Sequence, residues 1–309
     1  NALAWASLRG IDSHGIRLLP QYLKEVDSGI INIKPNITKK ITARSFIQVN
    51  ADHTFGHYAG TVGMKEAIKI AKKNGVGCCS VFNSGHCGAM SYFGHDYSKK
   101  GFITISMTHA SPRILLPNTK SVFFGNNPIS FTAPISKKII FCYDSASTQT
   151  TFNEIKNKQM KKQKLSKGDA LNVHGKETLN ANEAKFLQAI GGYKGIGLSF
   201  IVDILSGCLS GMDMGNKITK MYETNEKKHR KLGHFFMAID IEQVYNVKKF
   251  MRDMQFIVKR IHSQKKINKN YLDPMIPGEP ELHELKKRLK TGIPIDEDTY
   301  SFLRNEDNV

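Results

Sequence analysis

Between Arg9 and Tyr22 the chain reads Arg-Gly-Ile-Asp-Ser-His-Gly-Ile-Arg-Leu-Leu-Pro-Gln-Tyr, which gathers an imidazole, a hydroxyl, a carboxylate and two guanidiniums around Gly10 and Gly15. Histidine is the side chain most easily made to exchange a proton near neutrality, and a neighbouring hydroxyl or carboxylate can fix which ring nitrogen carries it. His14, beside Ser13 and Asp12, suits that task. The same residues also read as a helix end, with Ser13 or Asp12 capping a new turn and Arg17 in solvent. A second imidazole, His86, stands in Gly77-Cys-Cys-Ser-Val-Phe-Asn-Ser-Gly-His-Cys-Gly88, just past a short apolar strand, a position where loops often carry function. The strand Phe102 to Met107 runs in the same way into Thr108-His-Ala-Ser-Pro-Arg113.

Gly191-Gly-Tyr-Lys-Gly-Ile-Gly197 opens the most apolar segment of the chain and predicts a buried helix with Leu198, Ile201, Val202 and Leu205 inward. Free N–H groups at such a helix start favour an anion, and Lys194 adds a charge. The spacing is neither G-x-G-x-x-G nor a P-loop, so neither a Rossmann nor a Walker site is read here.

The elements that must position these groups follow from pattern. Residues 1–28 predict helix, turn and a second helix closed by Gly29, with Pro20 in the first turn where its missing donor matters least. Ile41 to Val49 predicts a strand, and Tyr58 to Asn74 an amphipathic helix stopped by Gly75. Phe124 to Pro134, Ile139 to Ser147 and Gly233 to Asp240 are further strands, and Glu242 to Ile261 is an amphipathic helix. The lysine-rich stretch 153–185 lacks apolar periodicity and predicts exposed loop. A tight turn at Pro277 to Glu281 precedes short terminal helices.

At 309 residues, with 40% apolar and 23% charged side chains, the composition is that of a globular protein of about two domains. No apolar run is long enough to span a bilayer, and no signal peptide opens the chain, so no membrane association is expected. Five cysteines, two of them adjacent, point to free thiols in a reducing, cytoplasmic setting, with no metal site. The net charge of +18 is spread over clusters such as Lys99-Lys100, Lys137-Lys138 and Lys227-Lys228 without interleaved aromatics. It would draw in small anions and does not predict a nucleic-acid partner.

Taken in order, the runs RGIDSHGIRLLPQY, NSGHCGAMSYFG, MTHASPR, FGNNPISFTAP, GGYKGIGLSFIVDILSGCLSG, GHFFMAID and PGEPE resemble the type-2 malate/L-lactate dehydrogenase family, which includes ureidoglycolate dehydrogenases, diketogulonate reductases and cyclic-imine reductases. The resemblance extends from Arg9 to Glu281. It implies an α/β (α+β) fold: a non-Rossmann nucleotide-binding domain (46–245) around a mostly antiparallel sheet, and a helical substrate and dimer domain from both chain ends (1–45 and 246–309). It further implies a homodimer, and about thirty residues ahead of Asn1.

The activity implied is hydride transfer between NAD or NADP and C2 of a small anionic 2-hydroxy or 2-oxo acid, malate or lactate foremost, or else of a cyclic imine. In that frame His14 moves the proton, Ser13 orients it, and His86 lies across the cleft. The family's nucleotide contacts fall on Asp144, Ser145 and Ala146, on Tyr193 and Lys194, and on Gly278, Glu279 and Pro280. Lys120, Asn127 and Pro128 match further cofactor-side positions. The substrate-helix arginine of many relatives falls on Leu18, so either Arg17 holds the carboxylate in its place or the anion contact is weaker. Asn118-Thr119, Asn126, Glu154 and Asn180 also depart from the common pattern. Glu154, Asn118-Thr119 and Asn180 motivate the alternative of a catalytically weak dimeric binding module.

Overall fold

A computed structural model describes residues 1–221, 228–268 and 270–305. Lys227, named above in a basic cluster, lies outside them. The helices are α1 (Ala2–Leu8), α2 (Leu19–Asp27), α3 (Gly56–Asn74), α4 (Ser91–Ser98), α5 (Phe152–Met160), α6 (Tyr193–Val202), α7 (Ile241–Val244), α8 (Val247–His262), α9 (Glu279–Thr291) and α10 (Glu297–Arg304). The strands are β1 (Thr38–Ala43), β2 (Phe46–Asn50), β3 (Val76–Ser84), β4 (Phe102–Thr108), β5 (Ile114–Leu115), β6 (Val122–Phe124), β7 (Ile129–Pro134), β8 (Ile140–Ser145), β9 (Ala170–Leu171), β10 (Glu177–Thr178), β11 (Phe186–Leu187) and β12 (Leu232–Asp240).

Seven strands form the main sheet, in the order β1-β2-β3-β12-β4-β7-β8. Every pairing in it is antiparallel except β2 with β3, so the sheet is mostly antiparallel and not doubly wound. A strand covered on both faces reads as a continuous apolar run, and central β12 does so through Phe235-Phe236. Its alternation sends Phe236 to α3, with Met64, Val49 and Val81, and Phe235 to the opposite face, with Met107 and Val202 of α6. Burying one such aromatic contributes about 2–3 kcal/mol. α3 lies this close because Gly63 carries no side chain: a Cβ there would sit 2.6 Å from Val81 Cγ2. A second sheet, β10-β9-β11-β5-β6, flanks the first.

Four expectations from sequence are corrected. The single strand over 41–49 is the hairpin β1–β2, so a domain boundary at residue 45 passes through paired strands. The stretch 153–185 is not exposed loop: α5, β9 and β10 enclose a small core of Ile155, Leu165, Ala170, Ala181 and Leu187. Its lysines line the outside, which hides five widely spaced apolar residues from any periodicity test. The third concerns the apolar helix, which is not buried all round; Val202 is inside, whereas Phe200, Ile201 and Ile204 are about half exposed. It also continues as a π-helical turn, Asp203–Cys208. Finally, the amphipathic helix over 242–261 divides into α7 and α8 at Tyr245, and Asn246 caps α8 through Lys249 N. No helix among the described residues is long and apolar enough to cross a membrane.

Candidate active site

Strand register brings the polar loops to one end of the main sheet. Ser84, closing β3, pairs with Leu232 at the start of β12; Thr108, closing β4, pairs with His234; Ile129, opening β7, pairs with Met107 and with Ser145 at the end of β8. The loops carrying His86, His109 to Arg113, Asn126 and Pro128, Ala146 and Arg230 therefore emerge side by side.

The amino-terminal turn is laid against this end from outside. Gly15 is needed where the turn crosses α1, because a Cβ would lie 2.1 Å from Ser7 Oγ, which accepts the Ile16 N–H at 2.9 Å. Arg288 of α9 forks onto Asp12, with Nη2 to Oδ2 at 2.9 Å, and also donates to the Ser7 carbonyl. Asp12 is thus a tether to the chain's far end. The partner that fixes the His14 tautomer is Ser13, whose Oγ lies 2.8 Å from Nδ1, leaving Nε2 for the cavity.

His14 and His86 stand 5.6 Å apart, centroid to centroid, with planes 15° from parallel. Tyr22 OH lies 2.6 Å from His86 Nδ1 and fixes that ring as Ser13 fixes the other. Burial, followed by the charge of Arg17, lowers the His14 pKa to about 4, and burial, followed by His14 and Arg230, holds His86 well below its usual value. Both rings are therefore neutral at pH 7 and able to accept a proton. Gly88, with φ +72°, lets the loop after His86 pass His57, whose Nε2 would be 2.5 Å from a Cβ.

Two cavities meet at these residues. An outer one of about 370 Å³ is lined by Arg9, Ser13, His14, Met90, Lys99, Lys138, Ile140, Asp144, Ala146, Gly278, Glu279 and Glu281, among others. An inner one of about 110 Å³ is lined by His14, His86, His109, Ser111, Arg113, Phe152, Asn153 and Arg230, among others. They share His14, Gly88, Asn126, Pro128 and Thr151, so the crevice runs from one to the other past His14. In the outer cavity the Pro277-Gly278 turn is docked on β8 by the Cys142 N–H, which donates to the Pro277 carbonyl at 3.1 Å. Asp144 accepts the Ser91 N–H at the start of α4, and burial pushes its pKa up to about 6.

The residues singled out from sequence fall into two groups. Ser13, His14, Asp144, Ala146, Pro128, Gly278 and Glu279 line the outer cavity, and His86 the inner. Ser145 turns its hydroxyl onto the Ala146 carbonyl, and Pro280 is exposed. Lys120, Tyr193 and Lys194 are exposed and line neither cavity. Arg17 is directed to Asn157 Oδ1 of α5 at 2.9 Å and lines neither, while Leu18 packs in a core with Tyr22 and Ile31. Asn127 is fully buried; its amide clips the Ala110 N–H, the Ser199 carbonyl and Asp203 together, so its side chain supports the site from behind. Of the departures, Glu154 is exposed and accepts from Asn157, Asn180 caps the turn at 181–183, and Asn118-Thr119 lie in an exposed loop; only Asn126 lines the crevice.

Sequence reasoning passed over Tyr22, which read as a core helix residue, and Arg113 and Arg230. Arg113 stood in a motif that carried no assigned role; Arg230 sits in a lysine-rich run with no distinguishing signal. Helix α5 was missed as the cover of the inner cavity, tied to the amino-terminal turn by Asn153 Nδ2 to the Ser13 carbonyl and by the Arg17 bond.

The sequence model of the malate/L-lactate dehydrogenase family matches residues 1–304. The chain belongs to that family. It is 34% identical over 303 residues to a malate dehydrogenase of Pyrococcus abyssi, covering 95% of this chain and 82% of that one. It is 28% identical to the NAD(+) ureidoglycolate dehydrogenase of Escherichia coli K12, over 97% and 86% of the two chains. The crystal structure of malate dehydrogenase from Entamoeba histolytica superposes with a TM-score of 0.91 at 27% identity, covering 98% of this chain and 88% of that one. In this member of the malate/L-lactate dehydrogenase family Leu18 is a buried core residue, and the cation beside it, Arg17, bonds to Asn157 of α5.

Proposed function

We propose that the chain is a nicotinamide-dependent dehydrogenase that interconverts a small 2-hydroxy acid and its 2-oxo acid. The observation carrying this reading is the pair of oriented, neutral imidazoles, His14 and His86, at the junction of a larger and a smaller cavity. A nicotinamide cofactor, NAD or NADP, would supply or take up the hydride at the substrate's C2.

The outer cavity fits such a group. Ile140, Met90 and Ala146 offer apolar wall, while Arg9, Lys99 and Lys138 offer charge for a diphosphate. Glu281 Oε2 is a buried acceptor without a hydrogen-bond partner, suited to a ribose hydroxyl, and Asp144 lies in the same wall. Substrate would occupy the inner cavity. During oxidation His14 Nε2 takes the hydroxyl proton; in the other direction it returns that proton to the carbonyl oxygen. Ser13 holds the ring in the tautomer that leaves Nε2 bare, and His86, held by Tyr22, polarises the same oxygen from the facing side. α5 contributes Phe152 and Asn153 to the wall of the inner cavity and is tied to the amino-terminal turn by two hydrogen bonds. The exposed apolar face of α6 and the π-helical turn after it, Phe200, Ile201 and Ile204, supports pairing with a second copy.

Purified protein mixed with NADH or NADPH and a panel of 2-oxo acids and cyclic imines should oxidise one cofactor with an acid. His14→Ala should lower kcat by about 10²–10⁴-fold while circular dichroism and cofactor binding are retained. A near-normal rate would reassign the proton carrier, and inertness towards every acid would remove the dehydrogenase reading.

A further inference from the structure

The amino-terminal turn and α5 meet at two points, each between residues 140 positions apart: Asn153 Nδ2 donates to the Ser13 carbonyl at 3.2 Å, and Arg17 Nη1 donates to Asn157 Oδ1 at 2.9 Å. Asn153 and Asn157 are one helical turn apart and so share a face of α5. At about 100° per residue, Ile155 and Gln159 fall on the other side of the helix, and there it is anchored. Ile155 is 1% exposed in the small core with Leu165, Ala170, Ala181 and Leu187, and Gln159 Nε2 donates to the Ala181 carbonyl at 2.6 Å. α5 is thus fixed behind and grips the turn in front.

Each grip falls on a group that bears on His14. The Ile16 N–H, which would otherwise close a three-residue turn onto the Ser13 carbonyl, donates to Ser7 Oγ at 2.9 Å, and that carbonyl takes its bond from Asn153 instead. Ser13 Oγ in turn lies 2.8 Å from His14 Nδ1, so the residue that sets the tautomer of the ring is itself held by α5. The Asn157 amide has one orientation, because Nδ2 donates to Glu154 Oε2 at 3.3 Å while Oδ1 accepts from Arg17. Arg17 is the charge that, after burial, lowers the His14 pKa, so where its guanidinium is held matters to the ring. Phe152 and Asn153 also wall the inner cavity. One helix therefore sets both that wall and the imidazole beside it.

Resting on the dehydrogenase reading above, we propose that Asn153, supported by Asn157, is a positioning residue for the reaction: through the Ser13 carbonyl it holds the Ser13–His14 pair in the arrangement that leaves Nε2 bare. Glu154 contributes to the same hold by orienting Asn157.

The test measures kcat and KM for wild type, Asn153→Ala, Asn157→Ala and Gln159→Ala with each acid that supports turnover. Asn153→Ala should lower kcat about tenfold, the cost of a ring no longer held in its reacting geometry. The factor should be the same for every acid, with KM changed by less than about twofold. Asn157→Ala should act in the same direction. Gln159→Ala loosens α5 from its other side and should leave kcat at the wild-type value. A normal kcat in Asn153→Ala, or an equal loss in Gln159→Ala, would overturn the proposal. So would a loss carried by KM that differs from acid to acid, which describes a residue touching substrate instead of one positioning the ring. Should no acid support turnover, the dehydrogenase reading has failed by itself, and the hold is judged in the ligand-free protein by nitrogen NMR of the His14 ring at pH 7. A proton fixed on Nδ1 in wild type and shared between both nitrogens in Asn153→Ala sustains it; the same tautomer in both proteins overturns it.

Discussion

Acidification should destabilise this fold, and His109 allows the effect to be read one group at a time. The ring is fully buried, and its Nε2 accepts the Gly233 N–H at 2.9 Å. Nδ1 must then carry the proton; it has no hydrogen-bond partner and faces Gly207 of the π-helical turn, where a Cβ would be 3.0 Å away. A second proton would enter at Nε2, against an N–H already pointing there, and leave a charge without solvent. Burial accordingly lowers the pKa from 6.5 to about 4. Between those pH values the unfolded chain binds a proton on this residue that the folded chain refuses, so the contribution is intact above pH 6.5 and is lost as pH falls. From pH 7 to pH 5 that loss is about 2 kcal/mol, set against a total stability of about 5–15 kcal/mol. His234, held down to about 3, acts in the same direction. Asp144, pushed up to about 6, opposes it by taking up a proton in the folded state, and returns about 1 kcal/mol over the same interval. The assay is urea unfolding of wild type and His109→Gln at pH 7 and pH 5. Glutamine can still accept from Gly233 and does not titrate, so the variant should lose about 2 kcal/mol less than wild type between the two conditions. Parallel losses in the two proteins, or a wild type that gains stability on acidification, would refute the reasoning.

Two further substitutions probe how the site is held. Tyr22→Phe removes the 2.6 Å bond to His86; stability should fall by only about 1 kcal/mol, while kcat falls about tenfold and its pH profile shifts, and an unchanged profile would show that His86 needs no such orienting partner. Arg288→Met strands Asp12 and frees the Ser7 carbonyl; unfolding should come about 2–3 kcal/mol earlier with KM raised, and a destabilised protein of normal KM would mean that the His14 turn is positioned by other contacts.

How much of this was legible in the sequence varies by residue. Ser13 next to His14, and His86 past a strand end, were visible because the chemistry is local or lies at an element boundary. Their meeting at 5.6 Å, 72 positions apart, depends on sheet order, which composition does not encode. For Arg17, adjacency to an expected cationic position says nothing of direction: one step along a helix turns a side chain by about 100°, and here its Nη1 reaches Asn157 of α5 while its charge still acts on His14. The core beneath α5 escaped notice because Ile155, Leu165, Ala170, Ala181 and Leu187 are brought together by short strands and turns, with neither a 3.6- nor a 2-residue repeat to betray them. Asn127 shows the reverse error. Its match to a family motif implied a cofactor-side position, whereas the buried amide, with four hydrogen-bonding sites, joins its own loop to Ala110 and to the Ser199–Asp203 stretch.

The seat of β12 against the π-helical turn depends on an irregularity that no periodicity would reveal. Between Leu232 and His234 the pairing of β12 with β3 shifts, a bulge at Gly233. Its N–H leaves the ladder for His109, while a Cβ at this position would lie 1.9 Å from the Ser206 carbonyl of the π-helical turn. Only glycine can fill that space, and only an unpaired N–H can satisfy His109. Ahead of the bulge, Arg230 lines the inner cavity together with His86. Replacing Gly233 by alanine would therefore disturb two things together: the π-helical turn, whose Ser206 carbonyl occupies the space of a Cβ, and the bond that the Gly233 N–H donates to His109.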